Sequence, residues 1–161
     1  MSVLDRLTAL FTSPVKAEAK PLPATDVPHA LGALLVRVAL SDKQYAVQEI
    51  GQIDRVLAKF QDIGPIEAAK LRAECERLEA FAPDTPDFAF LLCRSVDYGD
   101  RLSIVKALWQ VVYADGALRE VEADVMDVTQ SQLGIRPEDC AAAQAEAQTQ
   151  AAIVNSSNLS S

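Results

Sequence analysis

The sequence predicts an all-α fold, a bundle of about seven helices built from two pseudo-symmetric helical halves, with a short amphipathic helix in front of them. Three observations predict this class. Apolar residues recur at helical spacing, and no segment sustains the two-residue alternation of a strand. Ala and Leu supply much of the apolar share while aromatic residues make up only 6%, a mixture that favours helices packed on helices. The third observation is a repeat, in which residues 111–122 match residues 38–49.

The first predicted element is a short helix over residues 1–12, which ends before Pro14. Its apolar face is formed by residues at helical spacing, namely Val3, Leu4, Leu7, Leu10 and Phe11. Residues 13–28 are rich in Pro, Ala and Lys and are predicted to be a linker. The helix is therefore expected to be detachable, and three docking sites stay open: its own domain, a partner protein or a membrane surface.

Residues 29–152 are predicted to form the main domain as a succession of helices. Asp26 caps the first, which is entered through Pro28, and Gly134 ends the sixth. Turn and capping signals place the helices at about 28–40, 46–60, 65–81, 85–98, 100–113, 119–133 and from 137 past 147. Residues 153–161 are predicted to be a disordered tail.

Charge and cysteine content exclude several classes of protein. The net charge of −8 lacks the basic footprint of nucleic-acid binding, so no nucleic-acid partner is expected. The longest apolar stretch, residues 30–40, is too short to span a bilayer and contains Arg37. Cys75, Cys93 and Cys140 are widely spaced and are expected to be small buried thiols. With no secretory signal at the N-terminus, the protein is expected in the cytoplasm.

The repeat places two carboxylates in each half of the chain. Each copy ends an apolar helix, then has an Asp (Asp42, Asp115), and seven residues later a Glu (Glu49, Glu122) at the start of a new helix. Helical spacing puts each Glu on a core-facing stripe. The stripes are Glu49, Ile53, Val56 and Phe60 in the first half, and Glu122, Met126, Thr129 and Leu133 in the second.

Carboxylates that converge in this way need compensation. Two of them about 5 Å apart repel by roughly 3 kcal/mol at an effective dielectric constant near 20. A helix N-terminus offsets only about 0.3–1 kcal/mol per charge. A bound cation would compensate, and all-oxygen ligands favour Ca²⁺, Mg²⁺ or Mn²⁺ over Zn²⁺ or Cu²⁺. The alternative is helix capping or a simple salt bridge, although Ala46 and Arg119 are not the residues of a capping box.

These residues resemble the hallmark of TerB-like tellurite-resistance proteins. The resemblance rests on Tyr113-Ala114-Asp115-Gly116 with Glu122, following Leu108-Trp109-Gln110, and on the matching segment 38–49. It implies an all-helical, pseudo-symmetric fold in a cytoplasmic protein with no established catalytic activity. It also implies metal binding by acidic residues and a link to stress resistance through larger, partly membrane-associated complexes. Carried over by position, the metal residues are Asp42, Glu49, Asp115 and Glu122, and Lys43 departs from the Asp-Gly pattern of the family.

The sequence therefore predicts a non-catalytic, divalent-cation-binding accessory or scaffold protein in tellurite and stress resistance. The alternative is a metal-free protein–protein interaction module that uses the N-terminal helix and an apolar groove. Catalysis is not expected, because the only histidine, His29, lies at a helix start and no nucleophile or phosphate-loop signature is present. Since tellurite is an oxyanion that carboxylates repel, any role in resistance through these residues is indirect. A protein partner is expected, and no cofactor besides the cation.

Overall fold

Helices make up nearly all of the described part of the chain. The computed structural model describes residue 23 and residues 25–41, 45–81, 85–114 and 120–159, and these ranges contain no strand. The helices are α1 (Val27–Leu40), α2 (Val47–Gln61), α3 (Pro65–Phe81), α4 (Thr85–Ser95), α5 (Tyr98–Val112), α6 (Glu120–Gln132) and α7 (Pro137–Leu159). The predicted all-α class and the seven helices of the main domain are confirmed. The predicted helix over residues 1–12 lies outside the described residues.

Helix α1 is the centre of the bundle. Its sequence carries a single charge after the first turn, and every residue from Ala30 to Ala39 except Arg37 is buried. A helix that is apolar on all sides must be covered on all sides, and α1 packs against α2, α3, α4, α5 and α6. The exception also contributes to packing, because the Arg37 guanidinium lies 5.1 Å from the centre of the Phe88 ring of α4.

The two predicted halves are visible in the helix packing. An offset of 73 residues carries α1 onto α5, α2 onto α6 and α3 onto α7. Helix α3 packs along α1 as α7 packs along α5, and each of α2 and α6 contacts both central helices. Helix α4 connects the halves and packs on α1 and α6. The fold is therefore a three-helix unit used twice, with α4 added between the copies.

Two helix ends differ from the sequence prediction. Helix α4 ends at Ser95 rather than near residue 98, because Asp97 caps α5 by accepting a hydrogen bond from the Asp100 N–H at 2.9 Å. Helix α7 continues to Leu159, past residue 153, where the sequence indicated the start of a disordered tail. No helix in the described ranges is long and apolar enough to cross a membrane.

Helices α1 and α3 approach closely at a glycine. A Cβ atom built on Gly32 would lie 2.9 Å from Cys75 Cβ and nearer still to its Sγ. Cys75 is fully buried, and burial raises the pKa of its thiol to about 12. Cys93 and Cys140 are half-buried, and all three cysteines are free thiols, so the prediction of small buried thiols is confirmed fully only for Cys75. Gly32 is required here because its missing side chain makes room for Cys75.

The start of α1 is fixed by a histidine held between two carboxylates. Asp26 caps the helix by accepting the His29 N–H at 3.0 Å. The His29 imidazole lies 2.6 Å from Asp26 Oδ1 through Nδ1 and 2.6 Å from Glu74 Oε2 of α3 through Nε2. Burial disfavours the charged ring, but the hydrogen bonds to Glu74 and Asp26 outweigh burial and raise the pKa of His29. His29 therefore ties α1 to α3.

Replacing Gly32 with Ala is expected to lower stability. Overpacking typically costs about 1–3 kcal/mol, and the better helix propensity of Ala returns only about 0.5–1 kcal/mol. Gly51→Ala on α2 is the matched control, since its new methyl group would meet only the Arg55 Nη1 at 3.6 Å. Urea unfolding should show Gly32→Ala less stable and Gly51→Ala as stable as the wild type or more so. Equal effects of the two substitutions would contradict the close approach.

His29→Gln is expected to destabilise the protein more at pH 6 than at pH 8.5. The pKa of His29 is raised on folding, so its contribution is fully present below its unfolded pKa and is lost as pH rises through the folded pKa. Each pair contributes about 0.2–1 kcal/mol at partly exposed positions. Urea unfolding of both proteins at the two pH values measures the difference. A difference that does not depend on pH would show that the ring is held only by neutral hydrogen bonds.

Candidate functional site

Two glutamates occupy the same buried position in the two halves. Glu49 is the third residue of α2 and Glu122 is the third residue of α6. Their relative exposures are 0% and 1%, although charged residues are rarely buried so completely. The predicted core-facing orientation is thus confirmed for both glutamates and for the buried side chains that follow them, Ile53, Val56, Met126, Thr129 and Leu133. It is wrong for Phe60, which is 37% exposed at the open edge of α2.

Glu49 takes part in capping its own helix. The Ala46 N–H donates to Glu49 Oε1 at 3.3 Å, which is one half of a capping box. Ala46 has no side-chain oxygen to complete the other half, and its extended backbone (φ −70°, ψ 149°) leads the chain into α2. The capping alternative is confirmed for this single oxygen. The corresponding residues before α6, 115–119, lie outside the described residues.

The first turn of α2 lies beside the end of α5. Asp42 and Asp115 are themselves outside the described residues. The flanking residues are described, however, and Gln52 of α2 donates to Gln110 of α5 at 3.4 Å. Val47, Gln48, Gly51 and Gln52 also line the same groove as Tyr113 and Ala114, which directly precede Asp115. The first turn of α2, with Glu49, thus lies beside the end of α5 that leads into the second acidic segment.

A buried polar pair sets the position of α6 against α5. Trp109 donates its indole N–H to Gln130 Oε1 at 2.8 Å, and both side chains are buried. The Trp109 and Tyr113 rings stack with centres 5.9 Å apart, and Gln144 of α7 donates to the Tyr113 hydroxyl at 3.1 Å. The aromatic residues of the motif are therefore structural. Sequence reasoning did not identify Gln130 as the hydrogen-bond partner of Trp109.

The chemistry of the two buried glutamates fits a hard cation. Carboxylate oxygens are the ligands that Ca²⁺, Mg²⁺ and Mn²⁺ prefer. Within the described ranges, no group of three or more His, Cys, Asp or Glu side chains is arranged to hold a metal. Asp42 and Asp115, the other two predicted metal residues, lie outside these ranges.

The protein is therefore an all-helical domain of two three-helix units, and each unit has a fully buried Glu at the start of its second helix. A family model described as tellurite resistance protein TerB matches residues 29–145, which is most of the chain. The chain belongs to the TerB family, as the resemblance of its motif indicated. Comparison with curated proteins gave no match, and comparison with solved structures gave none.

Gln130→Met is expected to destabilise the protein by about 1–3 kcal/mol, because it leaves the buried Trp109 N–H without an acceptor. Gln148→Met on the exposed face of α7 is the control and should change stability by less than about 0.5 kcal/mol. Trp109 is the only tryptophan, so its fluorescence during urea unfolding reports on the site directly. Equal stability of the two variants would show that the hydrogen bond contributes nothing net.

Proposed function

We propose that this TerB-family chain is a non-catalytic, divalent-cation-binding accessory or scaffold protein in tellurite and stress resistance. The single observation that supports this most is the complete burial of Glu49 and Glu122 at the same position of two repeated units. The protein works in the cytoplasm, where its three free thiols stay reduced.

Capping alone does not account for this burial. A capping glutamate serves its helix equally well when its side chain is solvated, and solvation avoids the several kcal/mol that an ion loses on leaving water. Both units nevertheless place the carboxylate inside. A bound cation compensates for such burial, and the arrangement of two acids per half supplies Asp42, Glu49, Asp115 and Glu122 as ligands.

The cation in this proposal is Ca²⁺, Mg²⁺ or Mn²⁺, and its contribution is structural. It neutralises carboxylates that would otherwise repel one another and joins the segments that follow α1 and α5. Cation binding would then change the surface at this end of the bundle, which suits a sensor or a docking module. Tellurite, as an oxyanion, is not the ligand of these acids.

The environment of the only histidine supports a non-catalytic role. His29 lies at the start of α1, where Asp26 and Glu74 occupy both of its ring nitrogens. A general base needs one ring nitrogen free to accept a proton. The ring is therefore engaged in holding α1 to α3.

A second candidate function is a metal-free protein-interaction module. The observation that favours it is an open groove of about 880 Å³ between α2, α5 and α7. Val47 and Val154 line this groove and are 80% and 57% exposed. Under this proposal the buried glutamates serve only to cap and pack their helices.

Titration calorimetry and thermal unfolding with Ca²⁺, Mg²⁺ and Mn²⁺ test the cation. The wild type is expected to be stabilised by about 1.4 kcal/mol at an ion concentration ten times the Kd. Glu49→Gln and Glu122→Gln should each weaken binding at least ten-fold, because each removes one anionic ligand. Glu138→Gln, an exposed carboxylate in the first turn of α7, is the matched control and should bind like the wild type.

Two results would contradict the cation proposal. One is the absence of heat and of a thermal shift at millimolar ion, which would favour the metal-free module. The other is equal binding by the wild type and both glutamine variants, which would place the cation elsewhere on the acidic surface.

A further inference from the structure

Helix α4 shows how this fold holds an added helix. It lies across α1 and α6, with Phe88 under the Arg37 guanidinium at 5.1 Å. At its other end, Cys93 Sγ lies 3.8 Å from where a Cβ on Gly134 would be, just after α6. The 73-residue offset relates Arg37 to Gln110 of α5 and Gly134 to Gln61 at the end of α2. The repeat therefore contains an equivalent place for a helix, across α5 and α2.

In the described part of the chain, that equivalent place is an open groove. The cavity of about 880 Å³ continues into a second one of about 430 Å³, and both are lined by Gln110 of α5 and Gln150 of α7. Phe60, next to the counterpart of Gly134, lines the second cavity. We call the two cavities together the α2–α7 groove. It extends from Gln110, the counterpart of Arg37, to Phe60, which is next to the counterpart of Gly134. In the other half, α4 covers Arg37 and Gly134.

The α2–α7 groove has the shape and the exposed apolar groups of a helix-binding surface. Gly51, Ala147 and Ala151 keep its walls low, so that a helix can approach closely. Val47 is 80% exposed and Val154 57% exposed at one end. These two valines are apolar groups that a bound helix could cover.

We propose that residues 1–12 of this chain dock in the α2–α7 groove as a helix, as the counterpart of α4. The sequence of this segment predicts an amphipathic helix of about three turns, and α4 has 11 residues. Its apolar face would cover the exposed valines at the groove. That face consists of Val3, Leu4, Leu7, Leu10 and Phe11.

The chain between this segment and α1 is long enough to allow docking. Residues 13–26 form a Pro-rich stretch of 14 residues, which reaches about 43 Å in an extended polyproline conformation. A domain of this size is about 35–40 Å across, so either end of the groove is within reach. A short tether also gives an effective concentration near the millimolar range, so that even weak docking is populated.

The floor of the groove indicates that docking is reversible. Ala30 and Ala33 are buried residues of α1 at helical spacing from Arg37, which contacts α4, and the corresponding residues of α5 are Ser103 and Lys106. Ser103 is exposed, and Lys106 pairs with Glu146 across the groove at 3.6 Å. A polar floor tolerates water, whereas an apolar floor requires a permanent cover. The N-terminal segment can therefore leave without unfolding the domain.

Hydrogen exchange on the full-length chain tests this proposal with two matched pairs of variants. Leu7→Lys changes the apolar face of the segment and Ala9→Lys its opposite face. Val154→Lys changes the groove, and Val128→Lys changes an equally exposed valine on α6 (57% and 54% exposed). The amides of residues 3–11 are expected to be protected about two- to ten-fold in the wild type and in both controls. Leu7→Lys and Val154→Lys should abolish the protection while circular dichroism shows the domain folded.

Three outcomes would overturn the proposal. Unprotected amides in the wild type would leave the segment to an external partner. Protection that rises with protein concentration would assign the groove to the segment of a second copy. Protection that survives Val154→Lys would place the segment elsewhere on the domain. The exchange experiment contains no added divalent ion, so its result is independent of the cation proposal.

Discussion

The central constraint in this fold is a helix that cannot face water anywhere. From Ala30 to Ala39, α1 is buried on all sides except at Arg37, whose guanidinium covers an aromatic ring. Five other helices therefore pack around α1. Helix α5 is also largely buried, but one of its faces remains open. That face carries Ser103, Lys106 and Gln110. Because of this difference between two related helices, α4 covers one half of the molecule and the other half has an open groove.

The same constraint explains where the acids lie. A buried helix must end at the edge of the core, and the next helix has to start there and turn back. Glu49 and Glu122 lie where the next helix begins, and each is buried in the first turn of its helix, α2 or α6. A helix N-terminus is the one place in such a core where backbone N–H groups face a carboxylate, as the Ala46 N–H faces Glu49. The repeat of the unit gives two such positions, one in each half.

Sequence reasoning predicted what depends on neighbours in the chain. Helix positions followed from local periodicity and caps, and the buried glutamates followed from their helical spacing to the apolar residues after them. What it missed depends on competition or on distant contacts. Asp97 caps the start of α5, so α4 ends earlier than the sequence indicated. In α7 the polar segment after residue 153 continues as a helix, in which Ser156 and Ser157 donate to the carbonyls of Ala152 and Ile153. The groove was expected only in general terms, because its place depends on which helices leave one side of α5 uncovered.

The two halves differ in how their corresponding faces are covered, and this difference has a physical reason. A repeated unit has two equivalent faces. If a fixed helix covered both of them, the bundle would be closed and neither face could bind a partner reversibly. Here α4 covers one face, and its Phe88 and Leu92 are fully buried. The other face keeps a polar floor and a small-residue wall, which suit an occupant that binds and leaves. Because this open face begins at the first turn of α2, which carries Glu49, a cation bound at Glu49 would lie near one end of the groove. The two proposed properties of the molecule, cation binding and reversible docking, thus meet at the first turn of α2.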